Sequence, residues 1–595
     1  KYRDDCKIRY KKIIGELPVK GDLNARVVGV SEQDGFHVER IIFESIPKRY
    51  VTANLYLPRG KGPFPVALEL CGHGQGGKIP SSKAAILFAL NGIAVLVVDP
   101  VGQGERIQYV DQNNQPLTRG ATTEHTLLNA GANLVGSSVA AIEFWDNHRA
   151  IDYLETRPDL DKSRIGVYGS SGGGTQAAYL VGLEDRIKVA SVCSYFSQRE
   201  RVLELSGPSD GCQHIPCEGR EQLEIPDFVL MMAPKPLLIM SGLYDFVDYW
   251  GAANGFDELE KSYKILGSPE KVSMFTMEGG HGMPKPKREA LVNWFRKWMF
   301  GSNTPVQETR DVSVPFENLQ CTKTGQVITA IADQVSIPDY HLKMSAQFKM
   351  QRAEFVKKEG QAVTAKVKEL LGISLPGGKI VAEQTGTLKM RNYSLFKYQV
   401  IRPGQFPVPC VVCYPENVNL KSKVVLDLNE GGKDVILSDE TTIERFVNQG
   451  DILVVADLRG FGETADPLSL NDAKYWNREY RNSMISMHAG KPVMGQRVTD
   501  IISLLDFCET DPRLKGHPVN IVANGIYGPA VIHATYLDKR IEKSEISGSI
   551  RSFNDYLKNT MQRDVYSNVL YSVLQYYDLP DLVSLCGKNR IQVPD

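Results

Sequence analysis

The stretch Arg164–Leu180, R-I-G-V-Y-G-S-S-G-G-G-T-Q-A-A-Y-L, decides the predicted fold. It begins with the apolar run Ile165–Tyr168, which predicts a buried strand, and it ends in residues that favour a helix. Between them lies the frame Gly169–Gly173, G-S-S-G-G. A strand, a tight glycine turn and a helix are the context of a G-x-S-x-G nucleophile elbow, so Ser171 is the candidate nucleophile.

Glycines beside Ser171 have a steric purpose in such a turn. The serine is held in a strained backbone conformation, and side chains at the flanking positions would collide with the neighbouring strand and helix. The start of the following helix also presents N–H groups to developing negative charge. The alternative interpretation is a glycine-serine loop without chemistry, because the pentapeptide is short enough to occur by chance.

Chain length and charge narrow the possible classes of protein. With 595 residues the chain is too long for one core, and two domains of about 250–300 residues are expected. The net charge is -1, from 69 basic and 70 acidic residues, so we expect no nucleic-acid or membrane partner. No apolar run is long enough to span a bilayer, and the first residues do not resemble a secretory signal.

Ten cysteines in this length do not indicate a disulfide framework. Cys410 and Cys413 alternate within a strand-like run and are interpreted as core thiols. The spacing Cys212-x-His214 is compatible with a metal ligand pair, but no second C-x-x-C or H-x-x-H accompanies it. We therefore expect no metal and no cofactor.

Strands and helices alternate along the first half of the chain. This alternation predicts an α/β fold with a mostly parallel sheet. Residues 51–58 have an edge-strand pattern, and residues 106–135 and 204–225 are predicted to be irregular loops. The predicted buried strands are 65–70, 93–98, 165–168, 189–194, 236–240 and 272–277, and the predicted helices are 82–91, 139–155 and 287–300.

The second half of the chain repeats the first. Residues 446–463 retrace 88–105, residues 506–512 retrace 152–158, and residues 579–583 retrace 225–229. An internal repeat this long indicates two copies of one α/β domain. The predicted organisation is a catalytic domain at 1–302, a linker at 303–345 and a degenerate domain at 346–595.

The second copy is predicted to be non-catalytic. In register, Ser171 falls on Gly525, so no hydroxyl lies at the second elbow. The sequence ends at Asp595, within the strand that precedes the candidate acid in the first copy, and holds no counterpart of the residues after Met240.

Residues that could activate Ser171 follow in the order acid, then histidine. A serine hydroxyl needs a base to accept its proton and a carboxylate to orient that base. Asp245 follows the strand 236–240 and is the candidate acid, with Asp248 as the alternative. His281 lies between glycines on the next loop and is the candidate base; His73 is a weaker candidate, interpreted as structural.

The predicted oxyanion hole needs two N–H donors. One is the backbone of Gly172, directly after the nucleophile. The other comes from the loop C-G-H-G-Q-G-G-K after the strand 65–70, from Gln75 or Gly74.

These motifs resemble the α/β-hydrolase superfamily, and within it the acetyl xylan esterase-like group, which is related to cephalosporin deacetylases and dienelactone hydrolases. The resemblance covers residues 1–300 well and the second copy weakly. It implies serine-dependent removal of acyl groups, often acetyl, from carbohydrate, without a metal. The motifs that carry it are F-E-S-I-P-K-R-Y-V-T-A-N-L-Y-L-P, C-G-H-G-Q-G-G-K, D-P-V-G-Q-G-E-R, W-D-N-H-R-A-I-D-Y-L and G-S-S-G-G-G-T-Q.

The predicted function is therefore a serine carboxylic-ester hydrolase acting on an acetylated polysaccharide or oligosaccharide. A uronic-acid methyl esterase is the close alternative. A peptidase of the prolyl oligopeptidase type and a non-enzymatic binding scaffold are further alternatives. The expected partner is a small-molecule or glycan ester, the expected location is secreted or periplasmic, and the oligomeric state stays open.

Overall fold

A computed structural model describes residues 1–80, 82–358, 360–373, 379–470, 476–587 and 589–594. The chain forms two compact units. The first comprises Lys1–Ala132 and Ser137–Tyr340, and the second comprises Asn133–Gly136 and His341–Asp595. Asp595, the predicted end of the second copy, lies outside the described residues. None of the described helices is long and apolar enough to span a membrane.

Nine strands form the sheet of the first unit, in the order β1-β2-β3-β5-β4-β6-β7-β8-β9. The strands from β5 through β4 to β9 run parallel to one another, whereas β1, β2 and β3 join the sheet by antiparallel pairing. The strands are β1 (Arg26–Glu32), β2 (Phe36–Ile46), β3 (Arg49–Pro58), β4 (Phe64–Leu70), β5 (Ala94–Val98), β6 (Leu160–Ser170), β7 (Ile187–Cys193), β8 (Leu237–Gly242) and β9 (Val272–Met277).

Helices cover both faces of this sheet. On one face, α1, α4, α5, α7 and α8 pack against inward-facing residues of the strands in one apolar cluster. On the other face, α2 and α9 do the same. The helices are α1 (Tyr2–Ile14), α2 (Ser82–Leu90), α3 (Ala121–Leu134), α4 (Val139–Thr156), α5 (Gly172–Leu183), α6 (Arg199–Leu205), α7 (Ile225–Leu230), α8 (Tyr249–Ile265), α9 (Lys285–Phe300), α10 (Val327–Ala330) and α11 (Ile337–Gln347).

The segment expected to be a linker is largely part of the first unit, which extends to Tyr340. Its backbone is held by the buried carboxylate of Glu105. The N–H groups of Cys321 and Thr322 each donate to this carboxylate at 2.7 Å, and the Thr322 hydroxyl donates at 2.6 Å. A polar composition alone does not show that a segment is anchored in this way.

The second unit has an eight-stranded sheet in the order β10-β11-β12-β14-β13-β15-β16-β17. This is the order of the first sheet from β1 to β8. Its strands are β10 (Val381–Lys389), β11 (Tyr393–Ile401), β12 (Val408–Pro415), β13 (Val424–Leu428), β14 (Ile452–Ala456), β15 (Val519–Asn524), β16 (Ile541–Ser547) and β17 (Ile591–Gln592). The helices after α11 are α12 (Lys349–Val356), α13 (Gln361–Leu370), α14 (Lys433–Leu437), α15 (Glu440–Val447), α16 (Tyr480–His488), α17 (Val493–Thr510), α18 (Gly528–Leu537), α19 (Asn554–Lys558) and α20 (Leu579–Cys586).

Both units are therefore α/β with mostly parallel sheets, as the alternating pattern predicted. Two details differ from the prediction. Strand β3 lies between β2 and β5 and is buried along its whole length, so it is not an edge strand. Helix α3 fills half of the expected loop at 106–135. It buries polar side chains such as Glu124 and His125 together with Leu127 and Leu128, so no exposed polar face sets off an apolar stripe that would reveal a helix.

Candidate active site

Ser171 lies on the turn between β6 and α5, at the carboxyl end of the parallel strands. Its backbone has φ 58° and ψ −124°, a conformation that residues with a side chain rarely adopt. The turn is tight enough to need its glycines: a Cβ on Gly169 would lie 2.1 Å from the carbonyl oxygen of Gly173. A Cβ on Gly173 would lie 1.9 Å from the carbonyl oxygen of Leu70. The local sequence therefore forces the sharp turn that exposes a serine at the end of a strand.

His281 and Asp245 are brought together by the loops after β9 and β8. The imidazole Nδ1 lies 2.7 Å from Asp245 Oδ1, which fixes the ring and leaves Nε2 as the nitrogen available to a substrate or a nucleophile. The carboxylate side chain is 2% exposed and the imidazole is 27% exposed. A buried acid behind an accessible histidine is the arrangement that a general base requires.

The pKa of Asp245 lies below its ordinary value. Burial alone would raise the pKa, but the hydrogen bond with His281 and the N–H of Val247, 3.0 Å from Oδ1, outweigh it. Asp245 therefore stays ionised, as an orienting carboxylate must.

Asp248, the alternative acid, has a different role. Its Oδ2 accepts a hydrogen bond from the N–H of Gly251 at 2.6 Å and caps the start of α8. The same oxygen lies 3.4 Å from Nε of Arg201. In this structure it is Asp245, and not Asp248, that contacts the histidine.

The end of β7 links the loop of the nucleophile to the loop of the histidine. The N–H of Ser171 donates to the carbonyl of Cys193 at 3.0 Å. The next residue, Ser194, accepts the N–H of Gly282 on its hydroxyl at 3.2 Å. Lys287, fully buried, donates to that hydroxyl at 2.9 Å and to the carbonyl of Gly282 at 3.0 Å. Cys193 and Ser194 thus hold the loop of Ser171 and the loop of His281, and no sequence motif indicated Ser194 or Lys287.

The predicted oxyanion donors lie at the start of α5 and on the loop after β4. Gly172 is the first residue of α5, where backbone N–H groups have no partner within the helix. Gln75 is exposed on the loop after β4, and its carbonyl accepts the N–H of Gly104 at 2.9 Å. His73 of the same loop packs against the turn, because a Cβ on Gly172 would lie 2.6 Å from its ring. His73 is therefore a neighbour of Gly172 rather than a partner of Asp245.

Three aromatic side chains near the Asp245 loop were not predicted. The ring of Phe246 stacks on His281, with centroids 4.2 Å apart and an interplanar angle of 24°. Phe246, Tyr244 and Trp250 are 68%, 71% and 69% exposed. The run L-Y-D-F-V-D-Y-W contains the signal, since large exposed aromatic rings beside the candidate acid indicate a candidate binding surface.

One group of side chains in the first unit could hold a metal ion. His73, His125, Asp210 and Cys212 each offer a ligand atom, and these atoms lie within 4.8 Å of one another. The predicted pair Cys212-x-His214 does not form this group, because His214 is not part of it.

Part of the first unit matches a known protein family. Residues 17–215 match the family model described as acetyl xylan esterase (AXE1). The first unit is a carboxylic ester hydrolase that is similar to acetyl xylan esterases. The matched residues include Ser171 and end before Asp245 and His281.

Individual relatives resemble this esterase at low identity. The hydrolase YtaP of Bacillus subtilis strain 168 is 22% identical over 308 residues, covering 48% of this chain and 97% of YtaP. The solved structure of methylesterase BT1017 is 21% identical, with a TM-score of 0.44 over 60% of this chain and 75% of that one. A glucuronoyl esterase from Solibacter usitatus is 17% identical, with a TM-score of 0.40 over 50% of this chain and 91% of that one.

Proposed function

We propose that the first unit removes acetyl groups from a polysaccharide or oligosaccharide with Ser171, His281 and Asp245 as its catalytic triad. The observation that carries the proposal is the 2.7 Å contact between His281 and a buried Asp245, at the same end of the sheet as the strained turn of Ser171. The family match to acetyl xylan esterases supports the acetyl group as the acyl part.

In this mechanism Nε2 of His281 accepts the proton of the Ser171 hydroxyl as its oxygen attacks the ester carbonyl. The N–H groups of Gly172 and Gln75 stabilise the resulting oxyanion. His281 then donates the proton to the leaving sugar hydroxyl, and an acetyl-enzyme remains on Ser171. Water, deprotonated by His281, attacks this ester and releases acetate, which restores the serine.

Exposed aromatic rings support a sugar as the alcohol part. Tyr244, Phe246 and Trp250 lie on the loop that holds the acid and at the start of α8. Their flat apolar faces suit the C–H faces of a pyranose ring. Since a polymeric glycan does not cross membranes, we propose that the enzyme acts where it meets one, secreted or in the periplasm.

Hydrolysis of p-nitrophenyl acetate and of acetylated xylan tests the proposal. Wild type and Ser170→Ala should release acetate, while Ser171→Ala should lose ~10⁴-fold or more in kcat, as for other triad nucleophiles. Asp245→Asn should lose roughly 10⁴-fold, with Asp248→Asn as the matched control that keeps most of the turnover. Equal activity of wild type and Ser171→Ala would show that the elbow is not catalytic.

Methyl-esterified uronic acid polymers provide the second arm of the same experiment. Release of methanol from them, without release of acetate from acetylated xylan, would assign the unit to uronic-acid methyl esterases. The triad would keep its role, because the two substrates differ only in which side of the ester carries the sugar.

A further inference from the structure

Four potential metal ligands from three separate segments meet behind the oxyanion loop. His73 lies on the loop after β4, His125 lies in α3, and Asp210 and Cys212 lie between α6 and α7. His125, Asp210 and Cys212 are 0%, 3% and 1% exposed, and the His73 side chain is 14% exposed. Buried groups of this kind need either a complete set of hydrogen bonds or a cation.

Four distances within the group are close to the edges of a metal tetrahedron. His73 Nε2 lies 3.1 Å from Cys212 Sγ and 3.4 Å from Asp210 Oδ1. Cys212 Sγ lies 3.1 Å from Asp210 Oδ1, and His125 Nδ1 lies 3.7 Å from that oxygen. Bonds of about 2.0–2.3 Å from zinc to N, O and S ligands place the ligand atoms roughly 3.3–3.7 Å apart in a tetrahedron.

The hydrogen bond of the second nitrogen of His125 favours metal binding. Its Nε2 lies 2.7 Å from the carbonyl oxygen of Val101, which can only accept, so Nε2 carries a proton. Nδ1 faces the group and makes no hydrogen bond within the part of the chain that the structure describes. A histidine that donates one N–H to a backbone carbonyl and turns its other nitrogen to a site is typical of a metal ligand.

His73 can adopt the matching tautomer. The side-chain nitrogen Nε2 of Gln213 lies 3.5 Å from His73 Nδ1, and the nitrogen and oxygen of such an amide can exchange places. With its oxygen turned to the ring, this amide accepts the Nδ1 proton, and the lone pair of Nε2 then points to Cys212 and Asp210.

We propose that His73 Nε2, His125 Nδ1, Asp210 Oδ1 and Cys212 Sγ bind one divalent transition-metal ion, with Zn²⁺ as the best match. One sulfur, two nitrogens and one oxygen in a tetrahedral arrangement suit zinc rather than calcium or magnesium. Binding displaces the thiol proton of Cys212 to solvent, so the thiolate and the carboxylate balance the charge of the ion. Four protein ligands fill the coordination sphere, which makes the site structural rather than catalytic.

The proposed ion would hold the oxyanion loop in place. His73 packs against Gly172, the residue after the nucleophile. A bond from His73 to the ion would tie this loop to α3 and to the segment of Asp210 and Cys212. His73 is then a positioning residue. The sequence prediction of no metal did not detect the site, because its ligands are far apart in the chain.

Metal content and metal replacement test the proposal without relying on turnover. The Ser171→Ala variant, which is not expected to turn over, should be purified, treated with a chelator and exposed to one equivalent of Zn²⁺ or Co²⁺. We expect about one bound ion per chain by elemental analysis after dialysis. With Co²⁺ we also expect a thiolate-to-metal charge-transfer band and the intense visible bands of a tetrahedral ion.

Matched cysteine variants locate the ion. Cys212→Ser should abolish the charge-transfer band and weaken metal binding at least tenfold, while Cys217→Ser, another buried thiol in the same segment, should keep both. Zn²⁺ should raise the melting temperature of the Cys217→Ser protein and not that of Cys212→Ser. Less than a tenth of an equivalent of metal on the Cys212-containing protein, or an unchanged charge-transfer band in Cys212→Ser, would overturn the proposal.

If no metal binds, the four side chains form a hydrogen-bonded ionic cluster instead. That result leaves the proposed esterase function intact, since the triad does not use these residues. Conversely, a bound ion in a protein that hydrolyses no ester would retain the metal site and remove the function.

Discussion

Ser171 and Gly525 occupy corresponding turns of the two units, and their surroundings differ. Both have a left-handed backbone, with φ of 58° at Ser171 and 59° at Gly525. In the second unit a Cβ on Gly525 would lie 1.8 Å from Oε2 of Glu430. That oxygen also accepts the N–H of Ile526 at 3.0 Å, and this N–H corresponds to the one Gly172 offers in the first unit.

Glu430 is itself the counterpart of a predicted oxyanion donor. It lies three residues before Lys433, as Gln75 lies three residues before Lys78. The second unit thus carries a carboxylate where the first is proposed to bind an oxyanion. Both elbows have a positive φ, while the second unit has no side chain at the position of Ser171 and a carboxylate where the proposed oxyanion would lie.

In contrast to the elbow, a buried lysine with carboxylate partners is present in both units. Lys78 Nζ contacts Asp99 and Glu105, each at 2.6 Å, and Lys433 Nζ contacts Asp457 at 2.8 Å and also Glu463. The two units therefore share a buried ion cluster and differ at the turn of Ser171 and Gly525. The buried cluster is thus present both in the unit with serine at the elbow and in the unit with glycine there.

The largest predicted effect concerns transfer of the nucleophile between units. Ser171→Ala should lower kcat by ~10⁴-fold or more, and adding Gly525→Ser should restore nothing. The Glu430 carboxylate would repel the oxyanion and occupy its donor. Acetate release by the single and double variants measures this, with Ser170→Ala as the control. Turnover by the double variant that disappears on Gly525→Ala would contradict the comparison.

The lysine clusters should differ in their contribution to stability. Lys78→Met leaves Asp99 and Glu105 without a cation, and these side chains are 0% and 4% exposed. The expected loss in the free energy of unfolding of the first unit is about 3–5 kcal/mol. Lys433→Met should cost less in the second unit, because the Glu463 side chain is 62% exposed and stays hydrated.

Urea unfolding, followed by hydrogen exchange of peptides from β4 and from β13, separates the two lysine effects. Arginine at either position keeps the charge and serves as the control. If Lys78→Met and Lys433→Met lower the free energy of unfolding of their units equally, the exposure of the carboxylate partner does not determine the size of the loss.

Stability should also respond to pH differently in the two sheets. Burial raises the pKa of Glu69 in β4 to about 8 and that of Asp427 in β13 to about 6. Where the folded pKa exceeds the unfolded one, the folded state binds more protons, so stability falls as pH rises between the two values. Between pH 6 and 8, Glu69 should lower the free energy of unfolding by about 1 kcal/mol per pH unit, whereas Asp427 should contribute almost no change.

Glu69→Gln is the variant for this pH effect. It should flatten the decline in the urea midpoint of the first unit between pH 6 and 8, whereas Asp427→Asn should act only below about pH 6. A decline in the first unit that is unchanged by Glu69→Gln would assign the pH dependence to other groups.

Backbone strain at the two elbows should give the smallest effect. Ser171→Gly relieves an unfavourable φ, but glycine also adds entropy to the unfolded chain. With both effects counted, we expect the Ser171→Gly protein to be more stable than the Ser171→Ala protein by about 1 kcal/mol. Gly525→Ala should destabilise the second unit by about 1 kcal/mol or more. The melting temperatures of the wild type and of the Ser171→Gly, Ser171→Ala and Gly525→Ala variants measure these differences. A Ser171→Gly protein no more stable than Ser171→Ala would argue against stored strain.

Local sequence patterns predicted most of the sheet. Each predicted parallel strand overlaps an observed strand, and at least one of its two ends lies within two residues of the observed end. Buried strands can be located in this way because they are apolar runs bounded by polar turns. The missed helix α3 shows the limit of this approach. It buries Glu124 and His125 beside Leu127 and Leu128, and a hydropathy pattern cannot distinguish a helix that buries polar side chains on most of its surface from a loop.

The sequence by itself determined the α/β class, the repeat, the glycine turn around Ser171 and the order of serine, acid and histidine. These depend on neighbouring residues and on the short loops that follow parallel strands. Only the tertiary structure showed that Asp245, rather than Asp248, contacts His281. Only the tertiary structure, too, brought His73, His125, Asp210 and Cys212 together. Contacts between residues distant in the chain are set by packing, which no local spacing contains.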